Sequence, residues 1–127
     1  MPPANPTAAQ GDASPDMPDT PYCLVLTTAP DEPQAQTLAR QIVEARLGAC
    51  VQIERIHSVY RWDGELCSEQ ECRLMIKTRN ARFEALAQFI RAHHSHEVPE
   101  IVRIALTAGS ADYLRWIDES TQTGDGP

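Results

Sequence analysis

The stretch Ala49–Arg79 reads ACVQIERIHSVYRW, then DG, then ELCSEQECRLMIKTR. Both long segments are rich in apolar and β-branched residues, and Asp63-Gly64 is the two-residue signature of a type I′ turn. The stretch therefore predicts a β-hairpin with arms Ala49–Trp62 and Glu65–Arg79, each about twice the usual strand length. At about 3.3 Å per residue the hairpin extends roughly 40 Å, whereas a helix of about sixteen residues covers only about 24 Å.

The side chains of a strand point alternately to its two faces, and the first arm has apolar residues on both. Val51 and Ile53 share one face, whereas Tyr60 and Trp62 lie on the other. Two explanations remain open: a β-bulge near residues 54–55, or a ribbon with apolar residues on both faces. Because a bare two-stranded ribbon is marginally stable in water, we expect the end of the hairpin to pack against another subunit.

The chain before the hairpin predicts a buried strand followed by an amphipathic helix. Tyr22–Ala29 is a short β-rich run between prolines. Asp31 is a suitable N-cap for the helix, and Gly48 is expected to end it. The apolar residues between them follow helical spacing: Ala35, Leu38, Ala39, Ile42, Val43 and Leu47.

The chain after the hairpin predicts a second helix, a strand and a short final helix. Asn80 is expected to cap the second helix, Ile101–Leu106 to form the strand, and Gly109-Ser110 to begin the last helix. The resulting order is βαββαβ with a terminal helix. This order predicts an α+β sandwich with the helices on one face of the sheet, the ferredoxin-like or split βαβ arrangement.

The two ends of the chain differ in composition from its middle. Residues 1–21 include six prolines and almost no large apolar side chain, so we expect a disordered tail, and we expect the same of residues 121–127. Residues 22–120 then form the folded domain. The first residues do not resemble a secretory signal, and no apolar stretch approaches eighteen residues. We therefore expect a cytoplasmic protein without membrane contact.

Charge and cysteine usage narrow the functional classes. The net charge is −7, and the eleven Lys and Arg residues are scattered, which argues against nucleic acid as a partner. The four cysteines form no C-x-x-C motif, and two of them lie in apolar runs, so we interpret them as structural thiols. No P-loop, G-x-S-x-G or H-E-x-x-H motif is present, and we expect no enzymatic activity.

Three of the four histidines lie together at His93, His94 and His96, followed directly by Glu97. Imidazole and carboxylate are natural ligands of zinc, copper and nickel. Adjacent helical residues point about 100° apart, so these side chains would converge on an ion only at a helix end or with help from a neighbouring subunit. In the alternative, His94 packs at the rim of the core, while the other two face solvent near the helix C-terminal carbonyls.

Two further pairs of residues also have alternative interpretations. Glu97 and Glu100 would either add oxygen ligands or stay solvated or paired with basic residues, for which the candidates are Lys77, Arg91 and Arg103. Tyr60 and Trp62 would either stack on a planar ligand or anchor a subunit interface, and the interface is the favoured interpretation.

Six short motifs stand along the folded part of the chain, from about Leu24 to Ile117. They are TAPDE (Thr28–Glu32), LGACV (Leu47–Val51), YRWDGE (Tyr60–Glu65), IKT (Ile76–Thr78), HSHEVPE (His94–Glu100) and YLRW (Tyr113–Trp116). In this order they resemble the CutA divalent-ion-tolerance proteins. The resemblance implies a ferredoxin-like subunit in a tight homotrimer, with long hairpins packed against neighbouring subunits, and a role in tolerance to copper and other divalent cations.

The resemblance also implies a metal site around the histidine pair, for a divalent metal such as copper (Cu²⁺) or zinc. The chain departs from the family where a Pro-Tyr pair is replaced by Ser95-His96, and where Thr27 occupies a position at which some members have Cys. Only His93 and His94 therefore transfer directly, with His96 or Glu97 as supplements.

The family's structural similarity to trimeric PII signalling proteins implies an alternative function. In this alternative, a signalling or scaffold trimer binds a small ligand or a partner protein at clefts between subunits. Such a cleft would be polar and lined by Arg61, Lys77 or Arg79 near the hairpin.

Overall fold

The computed structural model describes residues 20–94 and 97–123. The predicted tails lie largely outside this range, as does His96. The described chain contains four strands and three α-helices, which confirms the predicted α+β fold. In chain order the elements are β1 (Tyr22–Ala29), α1 (Glu32–Glu44), β2 (Cys50–Trp62), β3 (Glu65–Arg79), α2 (Phe83–His93), β4 (Val102–Ala105) and α3 (Ala111–Ser120).

The four strands form one antiparallel sheet in the order β2-β3-β1-β4. The first strand lies in the middle, where Ala29 pairs with Cys72 on β3 and Cys23 pairs with Ala105 on β4. Helices α1 and α2 connect β1 to β2 and β3 to β4, respectively. The chain therefore has the predicted ferredoxin-like βαββαβ arrangement, followed by α3.

The hairpin of β2 and β3 is paired without interruption from Cys50–Lys77 to Trp62–Glu65. Its turn residues Asp63 and Gly64 have φ values of 58° and 80°, as a type I′ turn requires. The continuous register excludes a bulge within this hairpin. The change in apolar phase therefore reflects a ribbon that carries apolar side chains on both of its faces.

The main core lies between one face of the sheet and helices α1 and α2. Alternate residues of β1 and β3 are buried on this face, and each helix contributes the apolar stripe that its 3.6-residue period creates. The residues with the lowest exposure in this core are Cys23, Val25, Ala35, Ile42, Leu74, Ile76, Leu86 and Ile90.

Helix α1 begins as predicted. The Asp31 Oδ1 accepts a hydrogen bond from the Gln34 backbone N–H at 2.9 Å, and Gln34 Nε2 donates to the second carboxylate oxygen at 3.1 Å. These bonds satisfy a helix N–H group that has no intrahelical partner.

The prediction that Gly48 ends α1 is wrong. The helix stops at Glu44, and Arg46 takes the left-handed conformation with φ of 60°. The Leu47 N–H bonds to the Ile42 carbonyl and the Arg46 N–H to the Val43 carbonyl, both at 3.0 Å, which is the Schellman arrangement. The Arg82 Nε donates to the Arg46 carbonyl at 3.2 Å and so holds a conformation that usually requires glycine.

Glycine is required at position 48 for a different reason. A Cβ atom there would lie 2.7 Å from Ile76 Cγ2 and 3.0 Å from Ile42 Cγ2. The backbone at position 48 passes so close to the core that no side chain fits there. This close packing, and not the end of the helix, explains the glycine.

Asn80 does not cap α2 in the predicted way. A single 3₁₀ turn, Asn80–Arg82, precedes the helix, and no side chain caps either element at its start. The Asn80 Nδ2 instead donates to the Thr20 carbonyl at 3.0 Å, while its backbone N–H bonds to the Pro21 carbonyl at 2.7 Å. Asn80 therefore joins the start of α2 to the residues before β1.

Helix α3 begins at the predicted residues and lies against the second face of the sheet. Ser110 is its N-cap and accepts from the Tyr113 N–H. The Tyr22 hydroxyl donates to Asp118 Oδ2 at 2.8 Å, and Arg79 Nε donates to Thr121 Oγ1 at 2.8 Å. Tyr22 and Arg79 both alternate away from the main core, so α3 covers one end of that second face.

The rest of this second face, called here the open face, is apolar and only partly covered. It carries Leu24, Leu26 and Met75, which are half-buried, and Val102 and Ile104, which are 44% and 45% exposed. Beyond the Ala29–Cys72 pair the hairpin has no third strand beside it, and residues 56–71 form what we call the distal hairpin. In the part of the chain that the structure describes, no helix is both long and apolar enough to cross a membrane.

Two threonines on the helix-covered face generate a stability prediction. The Thr27 hydroxyl is fully buried without a hydrogen-bond partner, whereas the Thr78 hydroxyl donates to the Leu47 carbonyl at 2.8 Å. Because an unpaired buried hydroxyl costs free energy, Thr27→Val should raise the free energy of unfolding by about 1 kcal/mol. The same change at Thr78 should lower it by about 1–3 kcal/mol, since it leaves a buried carbonyl without its donor.

The measurement is denaturant unfolding of both variants beside the original chain at one protein concentration. Equal losses of stability at the two positions would contradict the assignment of Thr27 as an unsatisfied group.

Candidate functional site

His93 is the last residue of α2, and its ring is held by the preceding helical turn. The ring stacks on Phe89 with 4.0 Å between centroids, and Nδ1 lies 2.9 Å from the Phe89 carbonyl oxygen. Because a carbonyl only accepts, Nδ1 carries the proton and donates. The nitrogen that retains a lone pair in the neutral ring is Nε2.

His94 follows the helix and connects its end to the sheet. Its backbone is extended, its side chain is half-buried, and Nε2 lies 2.8 Å from the Thr28 carbonyl oxygen near the end of β1. The same reasoning makes Nε2 the donor. The two neighbouring imidazoles are thus oriented by backbone carbonyls of different elements.

These contacts bear on both interpretations of the histidines. They match the packing alternative, since His94 lies at the rim of the core and His93 contacts a carbonyl of the last helical turn. They also match the usual environment of metal-binding imidazoles, which donate their second N–H to a carbonyl or carboxylate and so fix the ring. Ligation by His93 and His94 stays a prediction.

The available donors fit a weak metal site rather than a closed one. The two imidazoles can supply at most two nitrogen ligands. Within residues 20–94 and 97–123, no three His, Cys, Asp or Glu side chains come close enough together to hold an ion. Structural zinc sites have four ligands, and catalytic ones have three protein ligands and a water. His96, the third predicted imidazole, lies outside the described residues.

Glu97 and Glu100 are exposed, and none of the ion pairs among the described residues involves either of them. Two of the three predicted cationic partners, Lys77 and Arg103, contact aromatic rings. The Lys77 ammonium lies over an aromatic ring of α3, and the Arg103 guanidinium lies over an aromatic ring of α2. Both glutamates line a cavity beside the distal hairpin instead.

This cavity has a volume of about 640 Å³ and lies between the segment 97–100 and the distal hairpin. The two aromatic residues of the hairpin contribute to its wall. Its lining residues are Thr28, Ser58, Tyr60, Trp62, Glu71, Glu97, Val98 and Glu100.

Sequence reasoning missed the contributions of four lining residues: Thr28, Ser58, Glu71 and Val98. A signal for two of them was available, because the Asp63-Gly64 turn fixes the register of the hairpin. In that register Glu71 is paired with Ile56, so it shares a face with Ser58 and the two aromatic residues. Thr28 had no such signal, since its position depends on how β1 pairs with β3.

The Tyr60 hydroxyl hydrogen-bonds to the carboxylate of Glu69, and this bond raises the pKa of Tyr60 to about 12. Loss of the proton would place two negative charges side by side, so the neutral phenol is favoured. The role of Tyr60 as an anchor of a subunit interface stays a prediction.

The basic residues expected to line a cleft do not come together within one chain. Lys77 is paired with Cys50 at one end of the hairpin, whereas Arg61 precedes the turn at the other end. Arg61 lies eleven positions along the strand from Cys50, which corresponds to roughly 36 Å. Arg79 lies at the same end as Lys77, where it bonds to Thr121.

The cysteines among the described residues are all free thiols, and two of them are buried. Burial raises the pKa of Cys23 to about 11 and also raises the pKa of Cys72. A thiol needs a lowered pKa to act as a nucleophile at neutral pH. The environment of these two residues therefore fits the predicted structural role.

The fold and these side chains define a class: a small α+β protein of ferredoxin-like arrangement, with two oriented imidazoles at a helix end and an acidic cavity beside an overlong hairpin. Residues 23–120 match the family described as CutA1 divalent ion tolerance protein. The chain belongs to this family, as its motifs predicted.

Individual relatives agree with this assignment. The chain is 42% identical over 99 residues to the divalent-cation tolerance protein CutA of Thermus thermophilus, covering 77% of this chain and 96% of that protein. It is 35% identical over 123 residues to human protein CutA, covering 96% of this chain and 68% of that protein.

Solved structures of the family have the same fold. The divalent cation tolerance protein of Thermus thermophilus superposes with a TM-score of 0.77 at 41% identity, covering 80% of this chain and 99% of that one. CutA from Synechococcus elongatus gives a TM-score of 0.79 at 36% identity, covering 84% of this chain and 95% of that one.

The Tyr60–Glu69 contact generates a pH prediction. Glu69→Gln should lower the pKa of Tyr60 from about 12 toward the usual value of about 10, because the amide carries no charge. Since the folded-state pKa is the higher one, the contact contributes stability below pH of about 10, and this contribution is lost as the pH rises through about 12.

The measurement is the ultraviolet absorbance of tyrosinate as a function of pH, with Tyr60→Phe to assign the transition. Glu65→Gln, on the same strand, is the matched control and should leave the curve unchanged. Superimposable curves for Glu69→Gln and the original chain would contradict the contact.

Proposed function

We propose that this protein contributes to divalent-cation tolerance by binding metal ions such as Cu²⁺ or Zn²⁺, as a non-enzymatic homotrimer in the cytoplasm. Membership of the CutA1 family supports the tolerance role, and relatives carry the name divalent-cation tolerance protein. The free thiols among the described residues suit a reducing compartment.

The observation that carries the metal-binding proposal is the anchoring of both imidazoles by backbone carbonyls. In each ring the hydrogen bond to the carbonyl of Phe89 or Thr28 selects the tautomer. His93 would then coordinate through Nε2, beside the ring of His94. Imidazole nitrogens favour borderline ions such as copper and zinc over magnesium or calcium.

Two imidazoles from one chain leave coordination positions to be filled. His96 and Glu97 follow the pair closely in the sequence, so each is a candidate for the third ligand. Assembly into a trimer would also bring further imidazoles into reach. The proposal therefore predicts weak, exchangeable binding, as suits a protein that buffers an ion rather than one that retains it.

The homotrimer is supported by surfaces that one chain leaves uncovered. The open face exposes Val102 and Ile104, and the distal hairpin exposes Val59 by 64% and Leu66 by 74%. These residues lie on different faces of the sheet, and apolar side chains exposed in this way are suited to subunit interfaces. The length of the hairpin also supports a trimer, because α1 and α2 do not reach its end and a neighbouring subunit would cover it.

A second function, binding of a small ligand by a signalling or scaffold trimer, is favoured by one observation. The cavity of about 640 Å³ beside the distal hairpin falls in the size range of small-molecule sites. The basic cleft first expected for this function is not formed within one chain, so the acidic cavity is the better candidate.

The metal proposal predicts that the double substitution His93→Gln/His94→Gln weakens Cu²⁺ and Zn²⁺ binding by about tenfold or more. Glutamine at position 94 retains an N–H group that can donate to the Thr28 carbonyl, so the fold should survive. Isothermal titration calorimetry at neutral pH measures the effect.

His57→Gln is the matched control. Its imidazole lies on the hairpin, 2.7 Å from Ser68 Oγ, far along the chain from α2. Unchanged metal affinity in the double variant, or an equal loss in the control, would contradict the assigned site.

A further inference from the structure

The two sides of the distal hairpin carry charges of opposite sign. Side chains alternate along each strand, and the register of β2 with β3 assigns each strand residue to one side. The side continuous with the open face, called here the acidic side, has no Lys or Arg and carries Glu65, Glu69 and Glu71. The opposite side, called the basic side, carries Arg61 and no carboxylate.

Both sides also expose apolar side chains. On the basic side Val59 is 64% exposed and Leu66 is 74% exposed, and on the acidic side Trp62 is 48% exposed. Because exposed apolar groups are suited to subunit contacts, each side of the distal hairpin is suited to be covered in an oligomer.

The cavity beside the acidic side restricts what can cover it. Three glutamates, Glu71, Glu97 and Glu100, line this cavity of about 640 Å³, and its lining contains no Lys or Arg among the described residues. A purely apolar cover would take these carboxylates out of water without a counter-charge, which costs free energy. The covering surface must therefore bring a cation.

Arg61 is the strand cation that remains available. Six basic residues lie on the strands, and five of them contact another residue of the same chain: Arg55, Arg73, Lys77, Arg79 and Arg103. Arg61 is exposed, and among the described residues it has no ion pair, hydrogen bond or ring contact. Its guanidinium is free to pair with carboxylates of another copy.

The symmetry of a trimer suits two sides of opposite charge. In a closed ring of three copies, every interface joins two different surfaces of the chain. The acidic side of one copy can then meet the basic side of the next. A two-fold pairing would instead place the same side of both copies together, and like charges would repel each other.

We propose that in the homotrimer the basic side of each distal hairpin covers the acidic cavity of the neighbouring copy. Arg61 of the partner subunit enters this cavity and pairs with Glu71, Glu97 and Glu100, while Val59 and Leu66 supply the apolar contact around it. This pairing rests on the proposed homotrimer and is independent of metal binding. It fills the position at which the second function above would place a small ligand.

The test measures how fast full-length subunits exchange between trimers. Isotopically light and heavy proteins are mixed, and native mass spectrometry follows the mixed trimers. Arg61→Glu should speed the exchange by about tenfold or more, because it places like charges together at each interface. Glu71→Lys should do the same, and the combined variant Arg61→Glu/Glu71→Lys should restore slow exchange.

Arg40→Glu is the matched control. Arg40 is exposed on α1, away from the hairpin, and the substitution changes the net charge by the same amount. Its exchange rate should equal that of the original chain. Circular dichroism establishes that each variant is folded.

A cross-linking measurement does not depend on weakening the trimer. In trimers of mixed isotopic composition, Arg61→Lys introduces an amine that a carbodiimide joins to a carboxylate in contact with it. Mass spectrometry of the peptides should find position 61 of one copy joined to Glu71, Glu97 or Glu100 of another.

The possible failures can be told apart. A single-copy mass for the original chain would contradict the homotrimer and this pairing together. A trimer whose exchange is as slow in Arg61→Glu as in the original chain, or equally fast in Arg40→Glu, would overturn the pairing alone. Cross-links from position 61 that stay within one copy would also overturn it.

Discussion

The continuous pairing of β2 with β3 is the constraint on which the rest of the structure depends. The ladder runs from Cys50–Lys77 to Trp62–Glu65, whereas β1 accompanies it only as far as the Ala29–Cys72 pair. Helices α1 and α2 cover the part that has a third strand. The distal hairpin is left as a two-stranded ribbon with apolar residues on both faces, and such a ribbon is not stable alone in water.

The same geometry places both candidate sites side by side. Thr28 lies where β1 is about to leave the hairpin, and its carbonyl orients His94 at the end of α2. Its side chain lines the cavity that the distal hairpin forms with the segment 97–100. One residue thus connects the imidazole pair to the acidic cavity, which explains how ion binding and ligand binding would come to lie at a single edge of the subunit.

Sequence patterns predicted the features that local chemistry determines. Asp63-Gly64 specified the turn, Asp31 and Ser110 began helices, and alternation identified the strands. The features that depend on distant contacts were missed. Gly48 fits the backbone against Ile76 rather than ending α1, and the cavity joins Thr28 to Glu71 and Glu97 through pairings that no short motif contains. The histidine pair was visible in the sequence, but the carbonyls that orient it were not.

One copy of this chain leaves its distal hairpin unsheltered, so the folded protein should be a homotrimer. Sedimentation equilibrium over a range of protein concentrations tests it most directly. We expect a single species of about 42 kDa, three times the chain mass of 14.1 kDa, that persists on dilution as long as the protein is folded. A folded species with the mass of one chain, with an intact hairpin, would contradict it.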